Sequence, residues 1–242
     1  MHEREPEVAV FFHMPMVPEM LSQEEATKFF DAYQVQPNEF YATPQEFIER
    51  VARTCYKSED KIKPGSASAM LKELRKRGHG AMLEHCFASV RIVCDRGVSH
   101  ELVRHRLASF AQESTRYCDY TRGKFGAEIT TVLPPAECVP EGVRQEFRER
   151  RRELFSQVER QYQWEREHGI EPQIARGVLP TALKTEIWMT ANLREWMHVF
   201  SLRLAPAAHP QMREVMEEIH RSFVREVPEL FDLPPAAESA GG

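Results

Sequence analysis

The sequence predicts a mixed α/β protein of the α+β class, folded as one domain. Short apolar or alternating runs at Val8–Phe12, Cys86–Asp95, Ile129–Leu133 and Thr185–Thr190 read as strands. Longer stretches between them carry helical periodicity with explicit capping signals. Neither an internal repeat nor a linker-like segment divides the chain, so the domain is expected to span residues 1–233. Residues 234–242 are then a tail expected to be disordered.

The elements follow from local chemistry. After the first strand a proline-broken stretch runs through Pro37. Thr43 then caps a helix, with Pro44 in its first position and Glu46 completing a T-x-x-E capping box. Phe47, Ile48, Val51, Ala52 and Cys55 form its expected buried face. The polar segment Ser58–Gly65 separates it from a second helix, Ala67–Arg77, which Gly78 ends. In Cys86–Asp95, Ala88, Val90, Ile92 and Cys94 alternate with Ser89, Arg91 and Asp95, the pattern of a half-buried strand. Gly97 is expected to turn the chain and Ser99 to cap a helix carrying Leu102, Val103 and the basic residues that follow. On that helix Glu101, Arg104, His105 and Ala108 would share one face. Pro134 and Pro135 close the third strand.

Val143–His168 predicts a long helix with Val143, Phe147, Leu154, Phe155, Val158 and Tyr162 on one stripe, ended by Gly169. Its Arg148, Arg150, Arg151 and Arg152 have Glu149, Glu153 and Glu159 at helical neighbour spacing, which favours a solvated, ion-paired face over a nucleic-acid surface. Pro172–Val178 is a helical turn presenting Arg176. Asn192 caps the next helix with Glu195 as its capping-box partner, running toward Arg203. Pro210 opens the last helix, whose Met212, Val215, Met216, Ile219, Phe223 and Val224 suit core or subunit packing.

Composition narrows the function. With 242 residues, 42% apolar and 29% charged, the chain has the make-up of a soluble globular enzyme. A net charge of -5 argues against nonspecific nucleic-acid binding through the whole surface. No apolar run approaches the roughly 20 residues of a membrane span, and the acidic amino terminus lacks the order of a signal peptide. The five cysteines are scattered without a C-x-x-C, so neither a disulfide framework nor a structural zinc is expected and a reducing cytoplasm is the expected compartment.

The chemistry concentrates in RHRLASFAQESTR, Arg104–Arg116, where three guanidinium groups are interleaved with Ser109, Gln112 and Ser114. Such a set suits a phosphate, which guanidinium binds through paired, charge-assisted hydrogen bonds. Three further clusters are candidates: His79 with Glu84-His85, Arg176, and Asn192–Arg203. The metalloprotease H-E-x-x-H, the G-x-S-x-G elbow, the phosphate P-loop and the G-x-G-x-x-G fingerprint are all missing, so no metal site is expected and any nucleotide or flavin needs another architecture. Cys118 has no evident base and is expected to be structural.

Arg104-His105-Arg106 followed by seven residues and Ser114 resembles the R-H-R-x7-S signature of the flavin-dependent thymidylate synthases. The G-H and E-H pairs (His79, Glu84, His85), A-R-x-x-L-P (Ala175, Arg176, Leu179, Pro180), N-x-R (Asn192, Arg194) and L-R (Leu202, Arg203) fall in that family's order, across roughly Thr43 to Phe223. The resemblance implies a homotetramer with active sites between subunits. It implies reductive methylation of dUMP to dTMP, with methylenetetrahydrofolate as carbon donor, FAD as hydride carrier and NADPH as reductant. Flavin would meet Ala81, Arg104, His105, Arg106, Gln112, Asn192, Arg194 and His198. The nucleotide would meet Glu101, Leu102, Val103, Arg104, Gln112, Glu113, Ser114, Thr115, Arg116, Arg176 and Arg203, with Arg203 as the activating residue against the uracil edge. Glu101 stands where some relatives carry Gln and is expected to meet the nucleotide or orient Arg104; His198 stands where some carry Asn. The rival readings are a flavoprotein of the same fold acting on another nucleotide, and a nucleotide- or RNA-binding module using Arg104–Arg116 and Arg148–Arg152.

Overall fold

In the computed structural model the described residues are 2–4, 7–13, 43–123 and 128–232; the stretch through Pro37, from residue 14 on, and the tail 234–242 lie outside them. The central feature is a four-stranded antiparallel sheet, ordered β2 (Glu7–His13), β3 (Phe87–Asp95), β6 (Lys184–Asn192), β4 (Ser109–Gln112). Beside it β1 (His2–Arg4) pairs in parallel with β5 (Thr130–Val132). The expected strands are all present. The fourth is longer than its apolar run suggests, because β6 pairs with β3 along nine residues, from Phe87 opposite Asn192 to Asp95 opposite Lys184.

Register sets the core. Ala88, Val90 and Ile92 lie opposite Ala191, Met189 and Ile187, and all six are buried. Helices cover that floor: α1 (Pro44–Thr54), α2 (Ser66–Lys76), α6 (Leu193–Arg203), α7 (Pro210–Glu226) and a short α8 (Pro228–Phe231) beyond the helix expected to be last. Trp196, fully buried, donates its indole N–H to the Ala88 carbonyl at 3.1 Å and packs on Phe223 with centroids 5.2 Å apart. The stripe on α7 is core as expected, with Met212, Val215, Met216, Ile219 and Phe223 buried. Helix capping also follows the sequence: Thr43 Oγ1 accepts from Glu46 N, and Gly78, at φ 69°, takes the left-handed turn after α2 that a side chain would oppose.

A smaller core of Tyr120, Ile129, Tyr162, Ala175 and Leu183 holds α4 (Arg144–Glu167) and α5 (Pro172–Ala175) to the sheet's other end. Here the predicted stripe needs correction. Phe155 and Tyr162 are buried, but Val143 precedes the helix and Leu154 is 55% exposed. The reason is geometric: the satellite core contacts only one narrow strip of a 24-residue helix. On α1, Cys55 is likewise exposed, as the C-cap rather than part of the buried face. The arginine-rich face of α4 is solvated: Arg150 pairs with Glu146, and Arg151 lies over the Phe147 ring at 4.5 Å. Nor is β3 half-buried. It is an interior strand, and its second face is closed by Ser89 with Thr190 Oγ1 at 2.6 Å and by Arg91 bound through two hydrogen bonds to Glu186. Among the described residues no helix is long and apolar enough to cross a membrane.

Candidate functional site

The signature segment is placed by a helix that starts earlier than its sequence suggests. Asp95, the last residue of β3, accepts the Val98 N–H at 2.7 Å and caps α3 (Arg96–Leu102). Gly97 therefore lies in the first turn, donating its N–H to the Thr181 carbonyl, and Ser99 sits inside the helix. With its start fixed at Arg96, the helix ends at Leu102, and Val103 is its C-cap. The shared helical face expected for Glu101, Arg104, His105 and Ala108 does not form. Arg104 to Ala108 instead make a turn, and Ser109–Gln112 continue as β4 against β6.

That turn brings together residues nearly a hundred positions apart. Arg203, at the end of α6, donates from Nε to His105 Nε2 at 2.9 Å, from Nη1 to the Glu101 carboxylate at 2.9 Å and from Nη2 to the Glu101 carbonyl at 3.1 Å. Glu101 thus orients Arg203, not Arg104, because the C-terminal end of α3 lies against the C-terminal end of α6. His105 is buried, and burial, with Arg203 and the His198 ring beside it, pulls its pKa down to about 4. At neutral pH it is an uncharged imidazole, able to accept from a guanidinium. Glu195, also buried, places a carboxylate oxygen 3.9 Å from His105 Nδ1. Sequence reading saw Glu195 only as a capping-box residue, and Asn192 does accept its backbone N–H at 2.8 Å.

A second group forms beyond β4. Gln112 spends its amide donors inside the chain, on Ser99 Oγ at 2.8 Å and Thr185 Oγ1 at 3.1 Å. Glu113 accepts from Lys184 at 2.9 Å and from the Tyr120 hydroxyl at 2.7 Å. Ser114 Oγ accepts the Arg116 N–H, fixing the following turn. The Arg116 guanidinium reaches Gln173 Oε1 at 3.4 Å, and that of Arg176 reaches Thr115 Oγ1 at 3.4 Å. Both arginines are exposed, and their partners among the described residues are neutral. Lys184 and Gln173 carry no sequence signal for this site. The turn is braced from behind by Asp119, whose carboxylate accepts from Arg166 at 3.0 Å and from Thr121 at 2.7 Å. Burial alone would raise the Asp119 pKa, but these hydrogen bonds outweigh it and bring it to about 2.

The remaining expected contacts lie elsewhere. Arg194 pairs with Glu84 and packs on Gly80, where a Cβ would come within 3.0 Å of its Nε. Gly80 thus lets Arg194 pack closely, where a side chain would push the guanidinium aside by a few tenths of an ångström, next to the exposed Ala81. Arg104 and Arg106 are exposed and have no side-chain partner among the described residues. Val103 is 41% exposed, whereas the Leu102 side chain is buried in the core, so a ligand could meet only its backbone. His79, His85 and His198 are exposed. A cavity of about 310 Å³ opens beside Glu101, between Val98, Pro134, Arg151, His209 and Gln211; its lining does not include Arg104, Arg116, Arg176 or Arg203, though Arg203 is bonded to Glu101 at its edge. Among the described residues, α3 links the two groups, Glu101 to Arg203 and Ser99 to Gln112.

Comparison with known proteins matches this arrangement to a family. A family model described as thymidylate synthase complementing protein matches residues 39–229. A flavin-dependent thymidylate synthase of Geobacter sulfurreducens is 31% identical over 195 residues, covering 78% of this chain and 81% of that protein. One of Pyrococcus abyssi is 34% identical over 188 residues, 75% of each chain. Among solved structures, a UMP/dUMP methylase, PolB from Streptomyces cacaoi, bound with 5-Br dUMP, has a TM-score of 0.72 over 96% of both chains at 20% identity, a likeness of fold.

Proposed function

The chain belongs to the flavin-dependent thymidylate synthase family, and on that premise we propose that it methylates dUMP reductively to dTMP. It is a flavin-dependent methyltransferase. When bound, FAD supplies the hydride, with NADPH as its reductant and methylenetetrahydrofolate as the source of carbon. The chain's own residues bind, orient and polarise.

The observation that carries the reading is the setting of Arg203. A guanidinium that never loses its proton is held by three hydrogen bonds at the end of α6, and two of its N–H donors have no partner among the described residues. Against the uracil edge it would stabilise the negative charge that spreads over the pyrimidine as C5 becomes nucleophilic. Arg116 and Arg176 are assigned to the nucleotide phosphate, with Ser114 and Thr115 shaping the turn that presents them. Two phosphates of FAD would suit Arg104 and Arg106, the exposed pair without side-chain partners; Asn192, Arg194, His198, Gln112 and the Ala81 backbone are assigned to the rest of the cofactor. Holding both rings by fixed groups supplies rate through proximity.

Active sites shared between subunits of a homotetramer are part of this proposal, carried by the family resemblance. The test is tritium release from C5-labelled dUMP by the purified protein, with flavin, folate and NADPH each omitted in turn, and UMP as a parallel substrate. Release from dUMP that requires all three supports the proposal. A protein that purifies yellow without release from dUMP refutes it.

A further inference from the structure

We propose that Glu195 is a positioning residue, which holds Arg203 at its working position by favouring the His105 tautomer that carries its proton on Nδ1. The inference rests on Arg203 being the residue that meets the pyrimidine. It concerns how the fold keeps that guanidinium in place.

The argument starts from one hydrogen bond. Arg203 Nε can only donate, and it lies 2.9 Å from His105 Nε2. That nitrogen must therefore be bare, and a neutral imidazole then has its proton on Nδ1. Nδ1 faces Glu195 Oε1 at 3.9 Å. The separation is too long for a hydrogen bond but short for a charge acting on an N–H dipole between buried groups. The other tautomer inverts both relations: an N–H would face the Arg203 N–H, and a lone pair would face the carboxylate. The charged form is disfavoured as well. His105 is faced by Arg203, His198 and Glu195 from α6 and by Glu101, through Arg203, from α3; burial, the Arg203 charge and His198 hold its pKa at about 4.

Glu195 is well placed for this task because its own position is fixed twice. Its N–H is the donor that satisfies the Asn192 cap, and the first turn of α6 is where a helix favours a carboxylate. The Asn192 cap thus fixes the backbone of a residue whose side chain points, through His105, to a residue eight positions further along the same helix.

Nitrogen-15 spectra of histidine-labelled protein read the tautomer directly in the resting enzyme, with no substrate needed, so a failure of dTMP formation and a failure of this proposal are separate results. In the wild type His105 should show a protonated Nδ1 and a bare Nε2; a protonated Nε2 overturns the proposal, whatever the variants do. Glu195→Gln should give a mixture of tautomers and lower kcat about 10-fold, the scale on which groups orienting a functional imidazole act, with flavin content and the KM for dUMP little changed. Glu195→Asp, which keeps the charge, should keep the wild-type tautomer and most of the turnover. A Glu195→Gln protein with the wild-type spectrum, or with wild-type kcat, overturns the proposal. So does a Glu195→Asp protein that loses turnover as severely as Glu195→Gln.

Discussion

Arg203→Lys separates the shape of the guanidinium from its charge. The native side chain makes three hydrogen bonds: to neutral His105 at 2.9 Å, to the Glu101 carboxylate at 2.9 Å and to the Glu101 carbonyl at 3.1 Å. A lysine keeps the charge and can still reach the carboxylate, but a single ammonium cannot span all three while facing a substrate. Because the donor is always a cation, each of these bonds is charge-assisted and worth about 1.5–3 kcal/mol. Arg203 is 20% exposed and Glu101 37%, which puts the charged pair at the low end. Losing the imidazole bond and one fork contact therefore costs about 3–4.5 kcal/mol of alignment, or roughly 150- to 2,000-fold in kcat/KM. The assay is initial-rate tritium release at several dUMP concentrations, with bound flavin measured by absorbance on the same preparations. Flavin content should stay at the wild-type level. A lysine variant within threefold of wild-type kcat/KM would refute the reasoning, because charge alone would then suffice.

Three further outcomes follow from the geometry. Arg176→Ala and Arg116→Ala should each raise the KM for dUMP by about 10- to 100-fold, the loss of one charge-assisted phosphate contact, with kcat less affected; unchanged KM values would remove these arginines from the phosphate site. If active sites are shared between subunits with Arg176 and Arg203 supplied by different ones, coexpressing Arg176→Ala and Arg203→Ala chains should restore measurable turnover that neither has alone; none in verified mixed oligomers would place both arginines on the same subunit at each site. Asp119, depressed from 3.8 to about 2, favours the folded state above the unfolded pKa, and that contribution disappears as pH falls from about 4 to 2. Asp119→Asn should cost about 2 kcal/mol at pH 7 by urea unfolding, and the gap to wild type should shrink toward pH 2; a pH-independent gap would contradict the assignment.

Local signals in the sequence carried the fold further than they carried the site. Capping boxes at Thr43 and Asn192 and the apolar stripe on α7 are written within a few residues, so they are legible in one dimension. The α3 error arose because Asp95 serves two elements at once, ending β3 and capping α3, and alternation alone shows only the first. Strand β4 went unseen because Ser109–Gln112 has no apolar alternation; its pairing with β6 decides it. Within the site, the arginines and Ser114 were legible as a motif. The Glu101–Arg203–His105–Glu195 chain was not, since its links join residues about a hundred positions apart through the packing of two helices.

The arginines sort themselves by partner. Those that brace the fold are paired with carboxylates: Arg53 with Glu49, Arg91 with Glu186 and Arg166 with Asp119. Their field is cancelled close to its source, and they are poor anion receptors. Arg104, Arg106, Arg116 and Arg176 have neutral partners or none among the described residues, so their charges remain available to phosphate at no cost of breaking an ion pair. Two predicted site residues are already bound to a carboxylate, Arg194 to Glu84 and Arg203 to Glu101. A compensated guanidinium adds little to the capture of a doubly negative nucleotide. As proposed for Arg203, it would still stabilise charge that appears only as the pyrimidine reacts, because two N–H donors without a partner among the described residues are oriented beforehand by the bonds to His105 and Glu101. Phosphate capture and activation thus fall to different arginines, and for Arg116, Arg176 and Arg203 the partner kept in the resting chain distinguishes the two tasks.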